Sequence, residues 1–146
     1  MQSNRQDDLS FQMRIPAKKC FTNNVMLTLE GICDHFCFTE TSRDRIKKAL
    51  DAALSNTIEL FYQNKSGLFD LRFSIYKNKL MISIEDFTLS LKGENDTDSS
   101  VTNDENVRNM LKTVEEFTDG ISFSDKKGRN ACYSMAFNIA YMEEAI

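Results

Sequence analysis

The 146-residue sequence predicts an α+β fold: a two-layer sandwich with a mixed, mainly antiparallel sheet and three helices on one face. Three observations carry that prediction. Short runs alternate apolar with polar residues, the period of strands with one buried face. Longer stretches repeat apolar residues at helical spacing. The two periods follow each other in the order β-α-α-β-β-α-β-β, with no internal repeat.

Leu9, Phe11, Met13 and Ile15 alternate with Ser10, Gln12 and Arg14. Pro16 closes this strand, because proline cannot donate to a ladder. From about Thr22 to Phe36 the period changes, with Val25, Leu29, Ile32 and Phe36 on one helical stripe. Thr41-Ser-Arg-Asp44 resembles a capping box and is expected to start the second helix. Its core stripe reads Ile46, Leu50, Ala53, Thr57 and Phe61. Phe69, Leu71, Phe73 and Ile75, a turn at Lys77-Asn-Lys79, then Leu80, Ile82 and Ile84 form the clearest hairpin.

From Lys92 to Asn106 the composition turns acidic, with Glu94, Asp96, Asp98, Asp104 and Glu105 and no basic residue after Lys92. This predicts a mobile, solvated, lid-like loop over residues 93–106. Its Asp96-x-Asp98-x-Ser100 lacks the glycine and terminal glutamate of a calcium loop. Val107, Met110, Leu111, Val114 and Phe117 give the third helix. Ile121 to Ser124 is a short strand, Asp125 to Gly128 a turn. Tyr133, Met135, Phe137, Ile139 and Tyr141 alternate in the last strand.

Apolar (41%) and charged (27%) fractions are those of an ordinary soluble protein, and the length suits one domain over residues 1–146. Net charge of −4 argues against a nucleic-acid or acidic-membrane partner. No apolar run is long enough to span a bilayer. Met1 to Asp8 carries no apolar signal-peptide core, so a cytoplasmic address is expected. Cys33 and Cys37 fall four apart on the first predicted helix, while His35 points about 200° from Cys33. One metal cannot join all three, and buried reduced thiols are expected.

Two polar residues sit where apolar ones are expected nearby. Asn56 shares a flank of the second helix with Arg45, Ala49 and Ala52, a quarter turn from the core stripe. It is either a helix-edge amide bonded to backbone or water, or part of a site. Asp86 shares parity with Ile82 and Ile84 and so points toward the helices, where a carboxylate needs a donor. Backbone amides or a purine amino group would both satisfy it.

Taken together, the order of elements and these two residues resemble the GHKL ATPase superfamily. Within it the chain is similar to the anti-sigma-factor serine kinases of the sporulation and stress-response type. The resemblance runs from FQMRIPAKKCFTNNVMLTLEGICDHFCF through DRIKKALDAALSNTIELFY and LRFSIYKNKLMISIED to NMLKTVEEFTDGISFSDKKGRNACYSMAFNI. It implies a nucleotide site of Asn56, Asp86, Thr88 and Arg108, with ATP and magnesium as cofactors. Asn56 would ligate the magnesium, and Asp86 would accept from the adenine amino group.

The family's catalytic glutamate falls at Ala52, so the resemblance supplies no catalytic residue. Asp51 lies about 140° around the helix from Asn56 and does not replace it. The family's D-x-G-x-G appears as Asp86-Phe-Thr88-Leu-Ser90, with Cβ atoms where backbone should approach the ligand. A second glycine motif is replaced by Asp104-Glu-Asn-Val-Arg-Asn109. Five carboxylates from Glu94 to Glu105 would repel a triphosphate. The implied function is therefore that of an anti-sigma-like regulator holding a sigma factor or an anti-sigma antagonist, as a homodimer. The alternative is an active serine kinase that phosphorylates the antagonist. Deleting Glu94 to Asn103 should leave the thermal midpoint within a few degrees of the parent; a large drop in a melting experiment would show that the loop packs.

Overall fold

Period-two runs become strands, and period-3.6 runs become the helices that cover them. The computed structural model describes residues 9–62, 66–86, 104–125 and 131–142. Its strands are β1 (Leu9–Pro16), β2 (Leu68–Tyr76), β3 (Lys79–Asp86), β4 (Gly120–Asp125) and β5 (Ala131–Asn138). Its helices are α1 (Thr22–His35), α2 (Glu40–Asn56) and α3 (Asp104–Glu115). The five strands hydrogen-bond in the order β1-β2-β3-β5-β4. The expected α+β fold is present, and the sheet is antiparallel at every pairing rather than mixed.

Alternation decides which face is buried. Phe69, Leu71, Phe73 and Ile75 of β2 are buried, while Leu68, Arg72 and Tyr76 are exposed. Leu80 and Ile82 of β3 and Met135 and Phe137 of β5 continue the same buried face. Against it lie Val25 and Leu29 of α1 and Ile46, Leu50 and Leu54 of α2. Each such side chain contributes roughly 1.5–3 kcal/mol on burial. Ion pairs also join α1 to α2, from Arg43 to Asp34 (2.8 Å) and to Glu30 (3.5 Å). At the surface such pairs contribute about 0–1 kcal/mol each, so the apolar layer decides the packing.

The edge strand departs from its expected pattern. Ile15 is buried, but Leu9 and Met13 are only half-buried and Phe11 is 41% exposed. The helices do not close over this strand, and the Phe11 ring instead leans on Phe73 at 6.1 Å. On the other sheet face the Asp70 carboxylate is buried and accepts from Arg14 Nε (2.8 Å) and Gln12 Nε2 (3.0 Å). That contact holds the Arg14 guanidinium pKa above its ordinary value, through the hydrogen bond first and the charge second.

Four further boundaries differ from expectation. The N-cap of α2 is Thr39, whose Oγ1 accepts from Ser42 N at 3.2 Å. Thr41, the cap of the expected Thr41-Ser-Arg-Asp44 box, instead lies within the first turn of α2, while Ser42 Oγ accepts from Ala140 N at 3.0 Å. Beyond Asn56 the helix widens into a π turn over Thr57–Tyr62. Thr57, Ile58 and Tyr62 are all buried there. The expected core residue Phe61 has its side chain outside the described residues.

Helix α3 begins at Asp104, three residues before the expected Val107, so the acidic segment runs into it. Acidic residue types suit the positive end of a helix dipole. The rest of the 93–106 segment and the Gly128 turn lie outside the described residues. Tyr141 is 38% exposed rather than buried, because β5 has ended. There the chain makes a bridge to Phe38, and Tyr141 Oη donates to Lys77 O at 2.6 Å. No helix among the described residues is long and apolar enough to cross a membrane. Thr39→Ala should cost about 1 kcal/mol of unfolding free energy, read from urea denaturation, since it removes the cap.

Candidate functional site at the Asp86 end of the sandwich

Hydrogen bonds at both ends set how α2 lies along the sheet. At its start, Ser42 Oγ accepts from Ala140 N, and Thr39 N donates to Ala140 O at 2.9 Å. Past its end, Tyr62 Oη donates to Leu68 O at 2.8 Å and the Tyr62 ring lies 5.9 Å from Phe69. Leu68 opens β2 two residues before Asp70, which pairs with Glu85; Asp86 pairs with Ala131. The C-terminal end of α2 therefore lies where β3 ends and β5 begins.

Lengths agree with this. Asn56 is about 21 Å along the helix from Ser42. Tyr133 is about 23 Å along the strand from Ala140. The far end of α3 is tied near Ala140. There Asp119 N donates to Ala136 O at 2.8 Å, and the Asp119 carboxylate accepts from Asn138 N at 2.8 Å and Arg45 at 3.2 Å. The first turn of α3 is thus about 16 Å from that end. Asn56, Asp86 and Tyr133 share one end of the sandwich.

Asn56 is half-buried, and its Nδ2 is buried without a hydrogen-bond partner among the described residues. Ala52, one turn earlier, is half-buried against the core, whereas Asp51 is exposed. Asp86 ends β3, with its side chain outside the described residues. Thr88 and Ser90 lie outside them altogether. Arg108 is on α3 and exposed. A cation would be ligated by the amide oxygen, the other end of the Asn56 side chain. Among the described residues no three His, Cys, Asp or Glu side chains come together as a metal site.

Sequence reasoning missed Tyr133, which alternation assigned to the core. It is 2% exposed, yet its hydroxyl has no partner among the described residues. Leaving a buried donor unpaired costs about 1–3 kcal/mol. Burial raises the phenol pKa above its ordinary value, so the hydroxyl stays neutral. The available signal was a tyrosine among purely apolar inward positions, since a buried tyrosine normally finds a partner.

No family model matches the chain. A serine-protein kinase RsbW from Oceanobacillus iheyensis is 32% identical over 76 residues, covering 51% of this chain and 48% of that protein. A serine-protein kinase RsbW from Bacillus anthracis is 27% identical over 84 residues, covering 58% and 52% respectively. The chain spans about half the length of the curated relatives it matches. Among solved structures, that of the RsbU and RsbW domains of Rv1364c from Mycobacterium tuberculosis matches with a TM-score of 0.66 at 12% identity. It covers 90% of this chain and 32% of that one. The chain is distantly similar to RsbW serine-protein kinases and shares the fold of that structure.

The cysteines differ from expectation. Only Cys33 is buried; Cys20 and Cys37 are exposed, Cys132 is half-buried, and all four are free. Cys37 falls past the end of α1 at φ 59°, so it leaves the helical face of Cys33. Burial, more than the charges of Arg43 and Glu30, pushes the Cys33 thiol up to about 11. Its contribution to stability is complete below the unfolded value near 9 and is lost as pH rises toward about 11. At pH 8 a thiol reagent should label Cys20 and Cys37 quickly and reach Cys33 only on unfolding, as peptide mapping would show.

Proposed function

We propose that this chain is an anti-sigma-like regulatory protein that binds a sigma factor, an anti-sigma antagonist, or both, without phosphoryl transfer. The observation that carries this reading is the α2 flank. Ala52 occupies the place that resemblance assigns to a catalytic glutamate, and Asp51 is turned out to solvent. A serine hydroxyl would have no base there. Partner holding needs surface complementarity, which loss of these groups leaves untouched. The reading includes a cytoplasmic protein acting as a homodimer.

An active ATP-dependent serine kinase is the second reading. It is favoured by the similarity to serine-protein kinases and by Asn56 and Asp86 sharing one end of the fold. Phosphoryl transfer depends mostly on positioning, so this reading asks Thr88 and Arg108 to help order the phosphates in place of the glycine loops.

Purified sigma factors and antagonist proteins, titrated in nucleotide-free buffer with a parallel phosphotransfer assay, separate the two. The expected outcome is a complex with at least one of them and no transferred phosphate. Ala52→Glu alone should also transfer none, because the glycine loops remain altered. Phosphorylation of an antagonist by either protein would overturn the proposal.

A further inference from the structure

Four exposed large apolar side chains gather at the end of the sandwich opposite Asp86. Tyr76 is 58% exposed, Met81 38%, Tyr141 38% and Met142 51%. Tyr76 and Met81 are diagonal neighbours on the sheet face turned away from the helices, since Lys79 pairs with Tyr76 and Ser74 with Met81. Lys77 Nζ lies 5.3 Å from the centre of the Tyr76 ring, and Tyr141 Oη donates to Lys77 O at 2.6 Å. Met142 N donates to Cys37 O at 2.7 Å, which extends the group to the end of α1. Single exposed apolar residues need no explanation, whereas a contiguous group marks an interaction surface. The non-glycine residues with left-handed backbone among the described residues are Lys77 and Cys37, both at φ 59° and both in this group. Such strain collects at functional surfaces. Glycine would relieve it at Lys77, with loss of the charge.

We propose that this end is a docking surface for an acidic, amphipathic segment of a protein partner. Its apolar residues would lie on Tyr76, Met81, Tyr141 and Met142, and its carboxylates would meet Lys77 and Lys79. Charge selects that occupant. The chain carries −4 overall, yet from Leu71 to Ile84 it has no acidic residue. Lys77 and Lys79 are exposed, and neither makes an ion pair among the described residues. Asp119, at the same end, is engaged by Arg45 and by Asn138 N. A second copy is disfavoured, because a two-fold contact sets the patch against itself and brings like charges together. An anionic membrane is disfavoured, because it is held by clusters of about four to eight lysines or arginines. The proposal extends the partner-holding reading to a named face, and its test is separate from that reading's.

Nuclear magnetic resonance on the isotope-labelled full chain tests this. The probes are a short amphipathic peptide of glutamate, leucine and phenylalanine, and the same peptide with lysine for glutamate. The acidic peptide should shift the amide signals of Tyr76 to Met81 and of Tyr141 and Met142 saturably, and bind less tightly as salt rises. Lys77→Gly keeps the turn, because glycine is at ease at this φ, and should weaken binding by up to about fivefold. Lys77→Glu combined with Lys79→Glu should weaken it by about tenfold or more. No shifts at millimolar peptide, shifts confined to other residues, or equal binding of the lysine peptide would overturn the proposal. So would phosphatidylserine vesicles that bind the parent and not the double variant, or a dimer of the parent that the double variant dissolves. Failure of every sigma factor and antagonist to bind would sink the partner-holding proposal and leave this surface standing.

Discussion

Helix α2 is fastened to both ends of the sheet, and the candidate site follows from that constraint. Ser42 ties its start to Ala140, and Tyr62 ties the turn beyond it to Leu68. The two bonds are individually modest, about 1 kcal/mol each. They act on a helix already held by Ile46, Leu50 and Leu54, whose burial is the larger effect. Packing sets the distance between layers, and the end bonds set direction and register. Shifting α2 by one residue would turn Asn56 by about 100° and separate it from the end where β3 finishes.

The chemistry available at that end follows from which polar atoms lack partners. Asn56 offers a neutral amide and Tyr133 a neutral hydroxyl, Ala52 offers only a methyl group, and Asp51 faces solvent. General-base chemistry needs a carboxylate or imidazole within hydrogen-bond reach of its proton. The α2 flank supplies neither. Similarity to RsbW serine-protein kinases and possession of their fold are therefore compatible with a chain whose activity is binding.

Much of the fold was legible because burial on one sheet face imposes alternation that a reader can count. The β2–β3 hairpin shows this, with Phe69 through Ile84 buried where parity puts them. Phe11 misled because parity tells which face a residue takes, and says nothing of whether helices cover it. Thr41 misled because Thr39, two residues earlier, is an equally good cap residue type, and the helix starts there. Beyond Thr57 a π turn breaks the 100° rule, and Ile58 and Tyr62 are buried there. At the site, Asn56 and Ala52 could be placed by helical angle. Tyr133 could not, since an unpartnered hydroxyl is a property of its surroundings and not of its position in a pattern.

Calorimetric titration of the purified chain with ATP and magnesium tests the central claim, a fold kept without its phosphoryl-transfer chemistry. The account predicts no saturable heat for the triphosphate up to millimolar concentration. Micromolar binding that requires magnesium would contradict it, and would return Asn56 and Asp86 to a working nucleotide site.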